Sequence, residues 1–182
     1  MYGTIAIIIT IIGVIYFYNS LIAKKNQVDN IYSGIDTVLK KRYDLIPNLV
    51  TVVKKYMEHE KTVLEDIVKL RNSAIKPDIL EEETIKIDSK MTNALGSIMI
   101  AVENYPELKS NTNVVQLQET LTEVESQISG ARRAYNQAVT DYNNAIEMIP
   151  TNLIAGMLRY QPKELFEIEV SQAANIDMKS IF

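Results

Sequence analysis

The chain opens with a long run of apolar positions. Residues 2–23, YGTIAIIITIIGVIYFYNSLIA, carry no charged side chain. As a helix these 22 residues extend about 33 Å, which is enough for the roughly 30 Å hydrocarbon core of a bilayer. Tyr2, Tyr16 and Tyr18 lie towards the two ends of the run, where amphipathic aromatic rings favour the membrane interface. The pattern predicts a single-pass transmembrane helix that attaches the chain to the membrane.

A cleaved signal peptide and a buried core helix are the alternative interpretations of this run. A signal peptide combines a basic segment, a shorter apolar segment and an Ala-x-Ala-like cleavage site, and residues 2–23 contain none of these. A core helix does not need so long an uncharged stretch. We therefore expect residues 1–23 to be retained as an uncleaved anchor.

The charges that flank the apolar run favour one orientation in the membrane. Only the α-amino group precedes the run, whereas five basic residues follow it: Lys24, Lys25, Lys40, Lys41 and Arg42. Basic residues are enriched on the cytoplasmic side of membrane spans. This bias favours an N-terminus outside the cell and a cytoplasmic body.

Beyond residue 23, apolar residues recur at intervals of three and four, which is typical of helices with one buried face. The first predicted helix continues from the anchor to about Tyr43. Pro47 should then interrupt the helix, because proline lacks an N–H and disfavours helical geometry at the preceding residue. Three further helices are predicted over about 48–73, 79–104 and 114–149.

The fourth predicted helix has the most regular pattern. Its apolar positions follow a 3-4 rhythm over five heptads, typical of a left-handed packing seam: Val114, Leu117, Leu121, Val124, Ile128, Ala131, Tyr135, Ala138, Tyr142, Ala145 and Ile149. Short connections between such helices favour an antiparallel bundle. The predicted fold is therefore all-α, with an N-terminal transmembrane helix followed by an antiparallel, up-and-down four-helix bundle over residues 24–150. Residues 151–182 are predicted to form a partly ordered C-terminal tail.

Two Tyr-Asn pairs in this helix are separated by seven residues. Tyr135-Asn136 and Tyr142-Asn143 occupy equivalent heptad positions. Repetition in phase indicates that each ring packs inwards while the amide reaches a neighbouring backbone or helix. Because a buried amide can fix the register of a bundle, we favour a structural role for these pairs over ligand binding.

Composition limits the chemistry that the chain can perform. A net charge of −4 and a pI near 5.1 argue against a general nucleic-acid binder. The absence of cysteine excludes disulfides and a thiol nucleophile, and a single histidine excludes a site that needs two imidazoles. That histidine, His59, has Val63 rather than a second histidine four residues later, so it does not form a zinc motif. We expect it to lie at the surface.

Two charged groups are the remaining candidates for chemistry. The acidic run Glu81, Glu82 and Glu83 falls in the first turn of a predicted helix, where it complements the helix dipole. Five charges share the fourth helix and form either a solvated or ion-paired face or, alternatively, a polar docking surface: Glu119, Glu123, Glu125, Arg132 and Arg133. No nucleotide-binding or nucleophile-elbow motif occurs. We predict no catalytic, cofactor-binding or metal-binding residues, and no enzymatic activity.

Several segments together resemble the LemA family. They are RYDLIPNLV at 42–50, HE at 59–60, ENYPELKSN at 103–111, LQ at 117–118 and ARRAYNQAVTDYN at 131–143. The segment at 18–42 also looks like the membrane-exit segment of that family, so the likeness runs from about Tyr18 to Pro150, with weaker likeness around Phe166. The resemblance implies a membrane-tethered four-helix bundle of bacteria and some archaea, without an established enzymatic activity. Some relatives are lipoproteins, and this chain departs from them because it has no cysteine. One relative is a magnetosome-associated protein.

The expected function is that of a non-enzymatic, membrane-anchored scaffold or adaptor that organises proteins at the membrane. The alternative is a membrane-tethered binding module or sensor that recognises a peptide or small ligand through an inter-helix groove. The expected partners are the lipid bilayer, through residues 2–23, and other proteins or further copies of the chain. No cofactor and no nucleic acid are expected.

Overall fold

The computed structural model describes residues 2–166, and within this range all regular structure is helical. The helices are α1 Tyr2–Val53, α2 Lys61–Ala74, α3 Glu81–Val102, α4 Pro106–Lys109, α5 Thr112–Glu147 and α6 Thr151–Met157. The all-α class and the apolar N-terminal helix are therefore confirmed. The four-helix bundle over residues 24–150 stays a prediction. Of the predicted tail, residues 167–182 lie outside the described residues.

The described residues divide into two compact units. The first unit consists of residues 2–42 and 119–165, and the second consists of residues 43–118 with Phe166. In the first unit, Arg42 of α1 pairs with Glu125 of α5. The rings of Tyr32 and Tyr135 also pack together, with 6.0 Å between their centroids. Tyr32 precedes Arg42 by ten residues on α1, whereas Tyr135 follows Glu125 by ten residues on α5. Within this unit the two helices therefore run antiparallel.

The second unit is built on the contact between α2 and α3. The buried apolar residues of these two helices include Leu64, Ile67, Met91, Ile98 and Val102. The Tyr105 hydroxyl donates a 2.8 Å hydrogen bond to Oε2 of Glu60, the residue that precedes α2. This hydrogen bond to a carboxylate raises the pKa of Tyr105 above its ordinary value. The bond links the end of the α3 segment to the start of α2.

The prediction that Pro47 separates two helices is wrong. Helix α1 continues through Pro47 to Val53, and the break comes instead at residues 54–60. Because proline has no N–H, the carbonyl of Tyr43, four residues earlier, cannot accept its usual helical hydrogen bond. The Nε of Arg71 in α2 donates to this carbonyl at 2.9 Å. The helix predicted over residues 48–73 is accordingly divided between the end of α1 and α2.

Burial explains why α1 continues beyond the proline. Ile46, Leu49 and Val53 are at most 1% exposed, and their spacing of three and four keeps them on one face of the helix. A break at Pro47 would end this helical spacing, and so would move Leu49 and Val53 off that buried face. The proline itself is exposed.

The predictions for the other long helices agree with the structure. The helix predicted over 79–104 is α3, and the helix predicted over 114–149 is α5. Most of the predicted α5 seam is buried, namely Val114, Leu121, Val124, Ile128, Tyr135, Ala138, Tyr142 and Ala145. Leu117 and Ala131 are half-buried, whereas Ile149 lies beyond the end of α5 and is 83% exposed.

Candidate functional site in the first unit

The first half of α1 is apolar but is not covered by the rest of the protein. Only 6% of its most apolar stretch is buried, and among the described residues α1 is the one helix long and apolar enough to cross a membrane. Its exposed side chains include Ile7, Ile9 and Ile12. A buried stripe begins further along the helix, at Leu21, and continues with Val28, Ile35 and Leu39. Packing within the described chain therefore does not account for the apolar character of residues 2–20.

A buried arginine, Arg42, is the last residue of α1 that belongs to the first unit. The Arg42 side chain is 1% exposed, and its Nη1 donates to Oε2 of Glu125 at 2.9 Å. The second oxygen of Glu125 lies 3.7 Å from Nη1 of Arg132. One carboxylate on α5 therefore faces two guanidinium groups. The Glu125 side chain is 36% exposed, so this charged cluster extends from the interior to the surface.

The other three charges of the predicted face are exposed. Glu119 and Glu123 are exposed, and Arg133 donates to the hydroxyl of Ser129 one turn earlier at 2.9 Å. The predicted charged face thus combines ion pairs, at Glu125 and Arg132, with solvated residues. Sequence reasoning treated Arg42 as a membrane-flanking charge and as part of a family segment, and it missed the burial of this side chain. The signal was present, because Arg42 falls between Leu39 and Ile46 in the apolar rhythm of α1.

The Asn143 side chain binds the backbone of the segment that follows α6. Its Nδ2 donates to the Lys163 carbonyl at 3.0 Å, and its Oδ1 accepts from the Lys163 N–H, also at 3.0 Å. The neighbouring Tyr142 hydroxyl donates to the Gln161 carbonyl at 3.2 Å. The prediction that the Asn143 amide reaches a neighbouring backbone or helix is confirmed, and its partner is backbone. We call this set of contacts the amide clamp.

The amide clamp is extended to α1 by an ion pair. The Lys163 Nζ lies 3.0 Å from Oδ1 of Asp29, whose other oxygen is 3.3 Å from Lys25. Partial burial opposes ionisation of Asp29, but the hydrogen bonds and charges of Lys163 and Lys25 outweigh it and hold the pKa of Asp29 below its ordinary value. Burial next to the Tyr160 ring raises the pKa of Tyr142. Lys163 thus joins α1, α5 and the chain after α6.

Replacement of the clamp amide should release this segment. Asn143→Ala removes two hydrogen bonds and leaves the Lys163 N–H and carbonyl without these partners, at a cost of about 1–3 kcal/mol in the free energy of unfolding. We expect faster amide hydrogen exchange at Lys163 and earlier proteolysis after residue 158. Asn144→Ala is the matched control, because Asn144 is the next residue on α5 and is exposed. Equal exchange at Lys163 in both variants would contradict the clamp.

The remaining sequence candidates do not come together into a site. His59 is exposed and lies between α1 and α2. Glu81, Glu82 and Glu83 occupy the first turn of α3, as predicted. No group of three or more His, Cys, Asp or Glu side chains within residues 2–166 could hold a metal ion. The distinctive features of the described chain are the uncovered apolar helix, the buried Arg42 and the amide clamp.

Comparison with known proteins agrees with the family resemblance. The chain is 25% identical over 171 residues to Protein LemA of Metamycoplasma hominis, which covers 91% of this chain and 76% of that protein. It is 22% identical over 192 residues to Magnetosome protein MamQ 2 of Paramagnetospirillum magneticum, with 88% and 71% covered. It is 20% identical over 190 residues to Magnetosome protein MamQ of Magnetospirillum gryphiswaldense, with 87% and 70% covered.

The family profile covers both units. The sequence profile of the LemA family matches residues 31–179, so it contains Arg42, Glu125 and the whole amide clamp. It begins after the apolar run, whereas the resemblance noted in the sequence began near Tyr18. Since the match extends over most of the 182 residues, the chain belongs to the LemA family.

Proposed function

We propose that the protein is a membrane-anchored helical scaffold, in which residues 2–23 cross the bilayer and the rest of the chain presents surfaces to other proteins. The observation that carries the proposal is the uncovered apolar portion of α1. Only 6% of its most apolar stretch is buried by the described chain. Exposure of so many isoleucines to water would be strongly unfavourable, and a bilayer removes that cost.

The continuity of α1 supports a scaffold in particular. The helix runs from Tyr2 to Val53 without interruption, so it carries the apolar segment directly into the buried stripe that begins at Leu21. Such a connection transmits position and orientation, whereas a flexible linker would not. The names of two relatives as magnetosome proteins support, by analogy only, a role in organising a cellular structure. The cytoplasmic location of the body, favoured by the flanking charges, stays a prediction.

The anchor is tested by charge substitution within the apolar run. A Lys at the centre of a membrane helix costs about 2.5–3.5 kcal/mol, so the double variant Ile8→Lys, Ile12→Lys should lose most of its membrane insertion. Alkaline carbonate extraction measures this, and an intact mass shows whether the N-terminal residues are retained. The matched control is Ile75→Lys, Ile100→Lys, in which two exposed isoleucines outside the run are replaced. Release of the unsubstituted chain by carbonate, or loss of about twenty N-terminal residues, would contradict the anchor.

Crosslinking and thermal-stability measurements on the membrane-bound protein distinguish a scaffold from a binding module. A scaffold should crosslink to itself or to other membrane proteins without added ligand. A sensor should instead gain thermal stability when its small molecule or peptide binds. Absence of any crosslinked species together with ligand-dependent stabilisation would favour the binding module.

A further inference from the structure

A second group of exposed apolar side chains lies at and around α6. Met148, Ile149, Leu153 and Met157 are 62%, 83%, 69% and 86% exposed. Leu153 and Met157 are four residues apart and so share one face of α6. Ala155, which points away from that face, is 2% exposed. We call these four exposed residues the α6 patch. Helix α6 therefore packs through one side and presents Leu153 and Met157 on the other, while Met148 and Ile149 lie just before the helix.

The antiparallel register of the first unit gives the level of the α6 patch along α1. Tyr32 faces Tyr135. Fourteen residues further towards the N-terminus, α1 reaches Tyr18, and fourteen residues further towards the C-terminus the chain reaches Ile149. Both distances are about 21 Å along a helix. Ile149, two residues beyond the end of α5, therefore lies at about the level of Tyr18.

The chain after α6 returns to α5 and keeps α6 near this level. Gln161 and Lys163 are hydrogen-bonded to Tyr142 and Asn143, less than two turns before the end of α5. Only twelve residues separate Met148 from Gln161, so α6 cannot lie far from the level of Ile149. All of these residues belong to the first unit.

This level coincides with the end of the apolar run. A hydrocarbon core of about 30 Å takes about twenty helical residues, which from Tyr2 extends to about Leu21. Tyr18 thus lies one turn, or about 5 Å, inside that boundary. Amphipathic segments at a membrane surface bury their apolar face about 5–10 Å into the boundary between headgroups and acyl chains. The level of the α6 patch falls within this depth.

Charge around the α6 patch also fits a lipid surface. Residues 148–163, which lie between the exposed Glu147 and Glu164, contain no acidic side chain, and Arg159 is exposed just after α6. Lys24, the first charged residue after the apolar run, lies six residues, or about 9 Å, beyond Tyr18. Basic side chains at the edge of an apolar surface attract anionic headgroups.

We propose that the α6 patch is a second membrane contact, lying in the bilayer interface beside the transmembrane segment. The proposal rests on the proposed anchor, since it takes its level from the membrane exit of α1. Contact at two places would fix the rotation of the first unit about the axis of α1, which a single span leaves free. The occupant of the α6 patch is lipid rather than another protein.

The chain contains no cysteine, so single labels can be placed in the full-length protein. Leu153→Cys and Met157→Cys carry an environment-sensitive fluorophore at the α6 patch. Ile12→Cys is the reference within the apolar run. Ser126→Cys is the aqueous control, because Ser126 is exposed on α5 and lies about 34 Å from Ile149 along the axis of that helix. Each variant is reconstituted into phosphatidylcholine vesicles with a minority of phosphatidylglycerol. Quenching is compared between lipids with a nitroxide near the headgroup and lipids with one near the chain end.

The expected result is a blue-shifted emission at positions 153 and 157, with stronger quenching by the nitroxide near the headgroup. The label at position 12 should be quenched more by the nitroxide near the chain end, and the label at 126 by neither. Aqueous behaviour at 153 and 157, with position 12 in lipid, would overturn the second contact and leave the anchor standing. Stronger quenching at 153 by the deep nitroxide would also overturn an interfacial location. An aqueous label at position 12 would overturn the anchor and, with it, this inference.

Discussion

Ile128→Asp should unfold the protein at temperatures at which the unsubstituted chain remains folded. Ile128 is 0% exposed and lies in the middle of the α5 seam. A buried carboxylate without a partner costs several kcal/mol, which is a large part of the roughly 5–15 kcal/mol that stabilises a domain. Leu121→Asp, at a position that is 6% exposed, should act in the same direction. Thermal melting of the detergent-solubilised chain, followed by helical circular dichroism, measures both effects.

The control for these variants introduces the same charge on the same helix. Ser126 lies two residues before Ile128 and is exposed, so Ser126→Asp should change the free energy of unfolding by no more than about 0.5 kcal/mol. Melting close to that of the unsubstituted chain for both Leu121→Asp and Ile128→Asp would show that the α5 seam is not part of the core.

Glu125→Gln should cost about 3 kcal/mol, because it leaves the guanidinium of Arg42 buried without its 2.9 Å carboxylate partner. This value is the lower end of the usual range, since the Glu125 side chain is 36% exposed and water can reach it. The double variant Arg42→Met, Glu125→Gln should recover most of the loss. It removes the buried charge itself and replaces it with an apolar side chain.

The coupling between the two substitutions is the informative quantity. A double-mutant cycle, measured by denaturant unfolding, should give a double variant that is more stable than Glu125→Gln alone. Glu123→Gln replaces an exposed carboxylate two residues before Glu125 on α5. It should have little effect on the free energy of unfolding. A double variant no more stable than Glu125→Gln would contradict the view that the loss comes from burying Arg42 without the Glu125 carboxylate.

The course of α1 shows where sequence reasoning succeeded and where it failed. The spacing of Leu39, Arg42, Ile46, Leu49 and Val53 keeps one helical phase across Pro47. This continuity indicates an unbroken helix, whereas the local effect of proline alone predicts a break. The apolar pattern reflects which side chains tertiary packing buries, whereas the cost of proline is local, namely a missing hydrogen bond and a clash of the ring with the preceding turn. Here packing outweighs the local cost, since Ile46, Leu49 and Val53 are all buried.

The contacts of the amide clamp were predictable only in part. The heptad spacing of Tyr135 and Tyr142 indicated inward rings, and both are buried. It also indicated that Asn143 would reach a neighbouring backbone. The identity of that backbone, at Lys163, depends on how the chain turns after α5, and no periodic pattern covers residues 150–166. The contact of Lys163 with Asp29 joins residues 134 positions apart, and neither residue carries a local signal for the other.

The hydrogen bond from Arg71 to the Tyr43 carbonyl affects the order in which the helices can fold during synthesis. The acceptor in α1 is synthesised 28 residues before its donor, so during translation the stretch around Pro47 lacks the bond that compensates for the proline. Until α2 has emerged and docked, the ten residues from Asp44 to Val53 must be a weaker helix than those before them. The last part of α1 therefore becomes fully stable as a helix only when α2 has docked. Its formation accompanies assembly of the second unit.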